Sequence, residues 1–337
     1  LFVLSNLISY LLTTWLPFDS FSIAWDRRQV IYLLIYFLAP ALPFTLAGLT
    51  TGLVLATAPI SANRLYGANL IGSALGCVIA IALPLSWGRR AIPLSACLGA
   101  TAGLAFAIHG HWRWRTANAM VLIGCLVLLV TEPAWLDVRL SPYKGLRQAL
   151  LYPNAQLRGT WWNAYARVDL IESKGIRLLP GLSYEFQGDI PPQWGVTVDG
   201  DNLSPIVHIT SAEQETFADY LPTALAYHLR PHARVLVLES AGGLDVQVAL
   251  SLGATAVTAQ EQNGLVLLAA RTAFPAGVYA NERVTVLQRD LRSALATEGE
   301  AYDIILLSLS QPFRPITSGA YSLAENYTLT IEAFTQM

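Results

Sequence analysis

The sequence has few charged residues. Lys, Arg, Asp and Glu make up 13% of its 337 residues, whereas about 25% is usual in soluble domains. The shortage is concentrated in residues 1–131, which contain only seven Lys or Arg and two Asp or Glu. A single soluble globule is therefore excluded. Because residues 132–337 carry most of the charge, a wholly membrane-embedded protein is excluded as well.

Basic clusters and metal-binding cysteine patterns are also missing. The net charge is −2 and no run of Lys or Arg occurs, which argues against a nucleic-acid partner. The three cysteines, Cys77, Cys97 and Cys125, all fall in apolar segments. Since they form no CxxC pair or Cys/His cluster, we expect no metal site.

Five stretches without Asp, Glu, Lys or Arg predict membrane helices. They are residues 1–18, 29–63, 65–88, 91–112 and 116–131. About 20 apolar residues are needed to cross the 30 Å hydrocarbon core of a bilayer. The second to fourth stretches meet this length, the last is short, and the first begins inside an apolar run. We therefore expect a transmembrane helical domain at 1–131, with about five spans in a lipid bilayer and a first span that is truncated.

The positive charges in the loops predict an orientation. If all five stretches cross the membrane, seven basic loop residues lie on one side and three on the other. Positive loops favour the cytoplasmic side, so the sequence predicts an inner or plasma membrane protein with a cytoplasmic C-terminal part. No span contains a charged residue that would mark a transport route. A transporter is therefore the least favoured functional class.

Short alternating segments after the helices predict a small antiparallel sheet. Residues 167–172 and 194–198 alternate between apolar and polar side chains, which is typical of half-buried strands. Asp199-Gly200-Asp201-Asn202 then supplies the residues of a hairpin turn. We assign residues 132–211 to a linker and a small β domain.

Alternating strand and helix patterns predict an α/β Rossmann-like domain in residues 212–337. After a helix predicted at 212–229, we expect strands at 234–238, 256–259, 284–287 and 304–307 and helices at 244–252, 263–273 and 291–297. This alternation predicts a parallel sheet with right-handed crossovers. Ligands of such sheets bind at the carboxyl ends of the strands.

Glycines and acids at three of these strand ends predict a nucleoside site. Gly242 and Gly243 follow the first strand, where glycine lets a ligand approach the backbone closely. Glu261 ends the second strand and can accept hydrogen bonds from both ribose hydroxyls. Asp290 follows the third strand and is placed to bind an adenine amino group. Either acid alone is more often a solvated strand-end residue, but the combination favours a nucleoside ligand.

Several longer strings of residues carry a family resemblance. They are residues 66–76, 141–146, 180–183, 235–252, 302–305 and 325–334. These strings resemble spermidine synthases, more widely the class I S-adenosylmethionine-dependent methyltransferases, and most closely membrane-fused spermidine-synthase-like proteins. The resemblance implies S-adenosylmethionine or its decarboxylated form as group donor. It also implies a small-molecule acceptor, a polyamine or another amine, faced by Tyr165, Asp199 and Ser308. It implies a parallel sheet that continues beyond Met337. For the assembly, we consider a homodimer.

The chain departs from this resemblance at catalytic positions. In aminopropyltransferases the fourth strand leads into an Asp-Ser-Ser-Asp-Pro string, whose first Asp helps deprotonate the attacking amine. Ser308 and Gln311 stand at the two acidic positions here, and Asp219, near another acid position of the family, is the remaining candidate base. Glu239 and Ala241 replace two glycines of the turn. The Glu239 carboxylate would repel the carboxylate of S-adenosylmethionine and would suit the free ammonium of the decarboxylated donor.

The sequence therefore favours a membrane-anchored transferase that moves an aminopropyl or a methyl group to an unidentified acceptor. The alternative is a catalytically inactive membrane protein that senses a nucleoside or a polyamine, which the missing carboxylates favour. Substrate turnover separates these two classes, and flux in vesicles would identify a transporter.

Overall fold

The chain forms two compact units. A computed structural model describes residues 1–57, 62–108, 110–297, 301–308 and 330–336. The first unit comprises residues 1–139, and the second begins at residue 140. Gln311, one of the two positions where the resemblance implies a lost carboxylate, lies outside the described residues.

The described part of the first unit is helical. Its α-helices are α1 Phe2–Trp15, α2 Arg28–Thr57, α3 Ala62–Trp87, α4 Ala91–Ala107 and α5 Trp112–Thr131. Each overlaps one of the five uncharged stretches, although α2, α3 and α5 also include basic residues near their N-terminal ends. Three helical segments are long and apolar enough to span a membrane: α2, α5 and the segment Asn63–Ala107, in which a 3₁₀ turn joins α3 to α4. At most 6% of the residues in their most apolar windows are buried within the protein.

Ion pairs connect the α3–α4 junction with the residues that follow α5. Arg89 lies 3.0 Å from carboxylate oxygens of both Glu132 and Asp137, and Arg90 also pairs with Glu132. The neighbouring Arg90 and then Arg89 lower the pKa of the Glu132 carboxyl group. Because the side chains of Arg89, Arg90 and Asp137 are about half exposed, the pairs add little stability. They do collect four charges at one end of an otherwise apolar helix group.

A four-stranded antiparallel sheet opens the second unit, as the sequence predicts. After the short helix α6 Gly145–Ala149, its strands are β1 Gln156–Trp162, β2 Arg167–Glu172, β3 Gln193–Val198 and β4 Asp201–Val207, in the order β1-β2-β3-β4. Asp199 (φ 52°) and Gly200 (φ 70°) form the two-residue turn between β3 and β4. Two positive φ values are the signature of a type I′ hairpin. Asp201 and Asn202, predicted as part of the turn, instead begin β4.

The helix predicted at 212–229 is interrupted. The structure has a 3₁₀ helix at Ala212–Tyr220 and an α-helix, α7, at Ala224–Leu229. Leu221 between them is extended, with ψ 150°. The physical reason is Pro222, because the ring of a proline disfavours helical geometry at the residue before it.

A parallel sheet follows, at the predicted positions. Its strands are β5 Arg234–Leu238, β6 Ala256–Gln260, β7 Val284–Leu287 and β8 Ile304–Leu307, and the helices are α8 Leu244–Ser251, α9 Gly264–Ala273, α10 Leu291–Thr297 and α11 Ile331–Gln336. The order is β7-β6-β5-β8, and every pair is parallel. The chain therefore builds outward from β5 in one direction and then returns to add β8 on the other side. This architecture is Rossmann-like.

The two sheets share one apolar core. Val168 of β2 and Val196 of β3 belong to the same buried cluster as Val235 and Val237 of β5. Phe217 of the 3₁₀ helix is fully buried in that cluster. Because buried side chains are close-packed, this core fixes the small sheet against the parallel sheet.

Candidate functional site

A cavity of about 400 Å³ lies at the carboxyl ends of β5, β6 and β7. This volume falls within the range of small-molecule sites. Five of the predicted site residues line it: Tyr165, Asp199, Glu239, Glu261 and Asp290. The first two come from the small-sheet part of the unit and the other three from the parallel-sheet part.

The charges that line the cavity are predominantly negative. Asp199, Glu239, Glu261 and Asp290 contribute four carboxyl groups, and Arg292 is the one basic residue among the lining residues. Carboxylates that converge on a partly enclosed space produce a negative potential, which attracts cations and repels anions. Within the described residues, no group of three His, Cys, Asp or Glu is placed to hold a metal ion.

Backbone amides hold the carboxylate of Glu261 in place. Glu261 follows β6 directly and is 4% exposed. Its Oε2 accepts a hydrogen bond from the Ala241 amide at 3.0 Å, and its Oε1 accepts one from the Asn263 amide at 2.8 Å. Burial raises the pKa of Glu261, the two amides oppose the rise, and the charge of Glu239 adds to it. The carboxylate is thus fixed in orientation at the floor of the cavity.

The turn after β5 has a left-handed backbone, which is typical of glycine, at two residues that carry β-carbons. Glu239 has φ 54° and Ala241 has φ 46°, the left-handed conformation that costs a residue with a β-carbon about 1–2 kcal/mol. The Glu239 amide donates a hydrogen bond to Oε1 of Gln260 at 2.9 Å. Burial also raises the pKa of the Glu239 carboxyl group. The turn therefore holds two residues with β-carbons in a left-handed conformation, at a cost in strain.

Gly242 and Gly243 do not line this cavity. A β-carbon on Gly242 would lie 2.2 Å from the carbonyl oxygen of Pro205 in β4. The Gly242 amide donates a hydrogen bond to Oγ of Ser204 at 3.1 Å. Gly243 has φ 89°, and a β-carbon there would lie 2.6 Å from Cγ2 of Val278. The structure thus uses both glycines for close packing inside the protein.

Helix caps position two further polar groups of the cavity wall. Asp290 precedes α10, and its Oδ1 accepts a hydrogen bond from the Ser293 amide at 2.9 Å. The hydrogen bonds from Ser293 lower the pKa of Asp290, so this exposed carboxylate is ionised at neutral pH. Asn263 caps α9, where its Oδ1 accepts from the Leu265 amide at 3.1 Å and from Nδ2 of Asn163 at 2.9 Å. Both caps satisfy amides that a helix N-terminus leaves free.

Tyr165 and Asp199 form the small-sheet side of the cavity. The Tyr165 side chain is exposed, and its amide donates to Oδ1 of Asn163 at 3.1 Å. Oδ1 of Asp199 accepts a hydrogen bond from the Arg167 amide at 2.9 Å, which ties the hairpin turn to β2. The hairpin thus contributes a carboxylate to the cavity lining.

The remaining predicted residues lie elsewhere. Asp219 is exposed and pairs with Nε2 of His228 at 3.2 Å, and it does not line the cavity. Ser308 directly follows β8 and is buried, and its hydroxyl donates a hydrogen bond to Oδ2 of Asp245 in α8. The sequence reasoning missed Asp245. An acidic residue two positions after the glycine turn was the only available signal.

Comparisons with known proteins give a weak likeness. No protein-family profile and no curated protein sequence matches the chain. One similar solved structure is a spermidine synthase in complex with the transition-state analogue AdoDATO, at 16% identity and a TM-score of 0.30 over 45% of this chain and 47% of that one. Another is the spermidine synthase from Thermotoga maritima, at 18% identity and a TM-score of 0.30 over 45% and 48%. The chain thus spans about half the length of each structure.

Proposed function

We propose that the cavity binds a cationic sulfonium nucleoside, S-adenosylmethionine or its decarboxylated form. The protein then transfers an aminopropyl or a methyl group from this donor to an amine acceptor. The observation that carries the proposal is the convergence of four carboxyl groups and one Arg on a cavity at three parallel strand ends. Phosphorylated nucleotides are disfavoured by the same charges.

The charge of the cavity favours the decarboxylated donor. That donor has a sulfonium and an ammonium group and no carboxylate, whereas S-adenosylmethionine adds a negative charge. Glu239 and Glu261 are close enough for the charge of one to raise the pKa of the other. A further carboxylate brought between them would be repelled, while an ammonium group would be attracted. This preference favours aminopropyl transfer over methyl transfer.

Five of the lining residues have a role in the proposal. Glu261 accepts hydrogen bonds from the ribose hydroxyls, and Asp290 binds the adenine amino group, as at other nucleoside sites on parallel sheets. Glu239 faces the ammonium group of the donor. Tyr165 and Asp199, on the small-sheet side, face the acceptor.

The chemistry is an in-line displacement at a carbon bonded to sulfur. The acceptor nitrogen forms the new C–N bond as the C–S bond breaks, and the electron pair of that bond returns to sulfur as a neutral thioether. Positive charge moves from sulfur to nitrogen during the step. A fixed negative wall binds that charge in the ground state and the transition state alike, so holding the two reactants in register supplies most of the rate enhancement.

We further propose that residues 1–139 anchor the protein in the inner or plasma membrane, with the second unit in the cytoplasm. The apolar helices leave large side chains uncovered, among them Phe37, Phe44 and Val130 at 75%, 78% and 81% exposure. Apolar surface on this scale needs lipid or a partner to cover it. A helix satisfies its own backbone and can be surrounded by lipid.

Isothermal titration of the full chain in detergent tests the nucleoside proposal. We expect the decarboxylated donor to bind more tightly than S-adenosylmethionine. Methylthioadenosine, which lacks both the sulfonium and the ammonium group, should bind with little dependence on salt. Asp189→Asn, which removes an exposed carboxylate away from the cavity, is the charge-matched control for variants of the cavity carboxylates. If none of the three nucleosides binds, the transferase proposal is wrong.

A sensor without turnover is the second candidate. It is favoured by Ser308, which follows β8 where the resemblance implies a catalytic carboxylate. Incubation with donor labelled in the transferred group and a mixture of alkyl diamines distinguishes the two. Labelled product supports the transferase, whereas binding of donor without any labelled product supports the sensor.

A further inference from the structure

Two asparagine side chains connect the small sheet to the parallel sheet at the cavity. Nδ2 of Asn163, the first residue after β1, donates a hydrogen bond to Oδ1 of Asn263, the residue before α9, at 2.9 Å. The two residues are 100 positions apart in the chain. Asn263 lines the cavity and is 6% exposed. The contact therefore lies at the wall of the proposed nucleoside site.

Backbone amides determine the orientation of both side-chain amide groups. Oδ1 of Asn163 accepts hydrogen bonds from the amides of Tyr165 and Ala166, at 3.1 and 2.7 Å. Oδ1 of Asn263 accepts one from the Leu265 amide at 3.1 Å. Because a backbone amide can only donate, the side-chain atom that receives it is the oxygen, and the nitrogen occupies the other position. Neither side chain can be flipped without losing these hydrogen bonds.

The side-chain nitrogen of Asn263 is free to bind a ligand. Nδ2 carries two N–H donors, and it donates to no residue in the ranges that the structure describes. The main-chain amide of Asn263 donates to Oε1 of Glu261 at 2.8 Å, so Asn263 adjoins the carboxylate that we assign to the ribose. Both residues line the cavity. The wall thus offers a hydrogen-bond donor next to a hydrogen-bond acceptor.

A hydroxyl group is the ligand group that matches this donor and acceptor. A hydroxyl donates one hydrogen bond and has two lone pairs that accept. It can therefore donate to Glu261 while its oxygen accepts from Nδ2 of Asn263. An ammonium group has no lone pair and satisfies the carboxylate alone. A ligand carboxylate accepts from Asn263 but is repelled by Glu261.

We propose that Asn263 determines specificity for a ribose hydroxyl and that Asn163 is a positioning residue that acts through it. The inference rests on the proposed nucleoside site and adds a second polar contact to it. Asn263 donates from Nδ2 to the oxygen of a ribose hydroxyl that itself donates to Glu261. Asn163 holds Oδ1 of Asn263 and keeps Nδ2 available to the ligand.

The positioning role of Asn163 has a consequence for the acceptor side of the cavity. Oδ1 of Asn163 holds the amides of Tyr165 and Ala166, which belong to the turn between β1 and β2 and line the cavity. A nucleoside that orders Asn263 therefore also orders this turn. By linkage, an ordered turn favours the bound nucleoside to the same extent.

Titration of methylthioadenosine and its 2′-deoxy and 3′-deoxy analogues into the full chain in detergent tests the hydroxyl contact. A site built to bind a hydroxyl rejects the analogue that lacks it, so we expect one analogue to bind at least tenfold more weakly than methylthioadenosine. Asn263→Ser keeps an oxygen that caps α9 and removes Nδ2. It should weaken methylthioadenosine about tenfold and leave that analogue nearly unchanged, which reduces the discrimination.

Asn263→Asp provides a second variant in which the cap and the contact with Asn163 are both retained. It replaces only the Nδ2 donor, by an oxygen, and should reduce the same discrimination. The two variants differ in charge, so agreement between them assigns the effect to the lost donor.

Hydrogen exchange of the turn amides, those of Tyr165 and Ala166, tests the positioning role. Methylthioadenosine should slow their exchange in the wild-type protein. Asn163→Asp keeps the oxygen that accepts from both amides and replaces Nδ2 by an oxygen, which cannot donate to Asn263. We expect this variant to keep the protection of the turn amides in the free protein and to lose the additional protection on ligand binding. A residue that only supports the turn would not give this difference.

Asn281→Asp is the matched control for both experiments. Oδ1 of Asn281 also accepts from the amide two residues later, that of Arg283 at 2.9 Å, and Asn281 does not line the cavity. This variant should behave as the wild-type protein in the titrations and in hydrogen exchange.

The outcomes distinguish this inference from the proposed function on which it rests. A wild-type protein that binds all three nucleosides equally would overturn the hydroxyl contact and leave the nucleoside site in place, as would undiminished discrimination in both Asn263 variants. Ligand-dependent protection that persists in Asn163→Asp would overturn the positioning role. Failure of the wild-type protein to bind methylthioadenosine would overturn the proposed nucleoside site, and this inference with it.

Discussion

The amide of Ala241 donates a hydrogen bond to Oε2 of Glu261 at 3.0 Å. This contact joins the turn after β5 to the end of β6. The residue predicted to bind the ribose is therefore also a structural support of the turn. A substitution at Glu261 acts on both the ligand and the fold, and the two effects must be measured separately.

Glu261→Ala should abolish nucleoside binding and destabilise the protein. The change leaves two buried amides without an acceptor, and each unsatisfied amide lowers the free energy of unfolding by about 1–3 kcal/mol. Glu261→Gln retains one carbonyl oxygen and should lose less stability, although it also removes the charge. Thermal unfolding and isothermal titration of the two variants measure the two effects. Wild-type affinity in Glu261→Ala would remove this residue from the site.

Glu239→Gly and Ala241→Gly form a matched pair. Both remove a β-carbon from a left-handed backbone, which relieves about 1–2 kcal/mol of strain and is partly offset by the greater freedom of glycine in the unfolded chain. Only the first also removes a carboxylate. We therefore expect Glu239→Gly to abolish the preference for the decarboxylated donor over S-adenosylmethionine. Ala241→Gly should keep that preference, and equal loss in both variants would assign it to the backbone.

The same pair should differ in the pH dependence of stability. Burial raises the pKa of Glu239 in the folded state. The protonated Glu239 side chain contributes to the stability of the fold below its unfolded pKa, near 4.3. That contribution is lost as the pH rises through the folded pKa, because the buried carboxyl group then ionises. The stability gained by Glu239→Gly over Ala241→Gly should therefore grow between about pH 4 and pH 8. Unfolding temperatures at several pH values measure this difference.

Binding of a cationic donor should release protons. Because burial raises the pKa values of Glu239 and Glu261, each carboxyl group stays protonated to a higher pH in the free protein than an exposed carboxyl group would. A bound cation favours the ionised forms and lowers both pKa values. Titration in two buffers with different ionisation enthalpies counts the released protons. We expect net release with the decarboxylated donor and much less with the neutral methylthioadenosine, and proton uptake would contradict the anionic site.

Membrane topology can be tested with reporter fusions. A fluorescent protein fused after the last residue should fluoresce if the second unit is cytoplasmic. Alkaline phosphatase fused between α4 and α5 should be active, because Arg113 and Arg115 belong to the side with fewer positive charges. The two fusions control for one another. The reverse pattern would show that the orientation is inverted, and reporters on the same side would show that α5 does not cross.

Strand and helix positions in the parallel sheet could be predicted because each buried strand is a short apolar run with a turn or helix cap after it. Asn263 and Asp290, for example, cap the helices that follow β6 and β7. The break at Pro222 could also have been predicted, since the restriction on the preceding residue is local. The small antiparallel sheet was recognisable from alternation in β2 and β3.

The site was only partly predictable, because its geometry depends on contacts between distant segments. The sequence indicates Glu261 and Asp290 from their place after strands, and both line the cavity. It does not show that Ser308 meets Asp245, 63 positions away. Nor does it show that Gly242 faces β4, since the approach of Pro205 is a tertiary contact.

The close approach of Pro205 to Gly242 restricts which residues can occupy position 242. A carbonyl oxygen occupies the space in which any larger residue at position 242 would place its first carbon. Glycine is required there by the neighbouring hairpin, whatever the cavity holds. This requirement would hold even in a protein whose cavity bound no nucleoside. Glu239 and Ala241, three positions and one position before Gly242, carry β-carbons in the same turn.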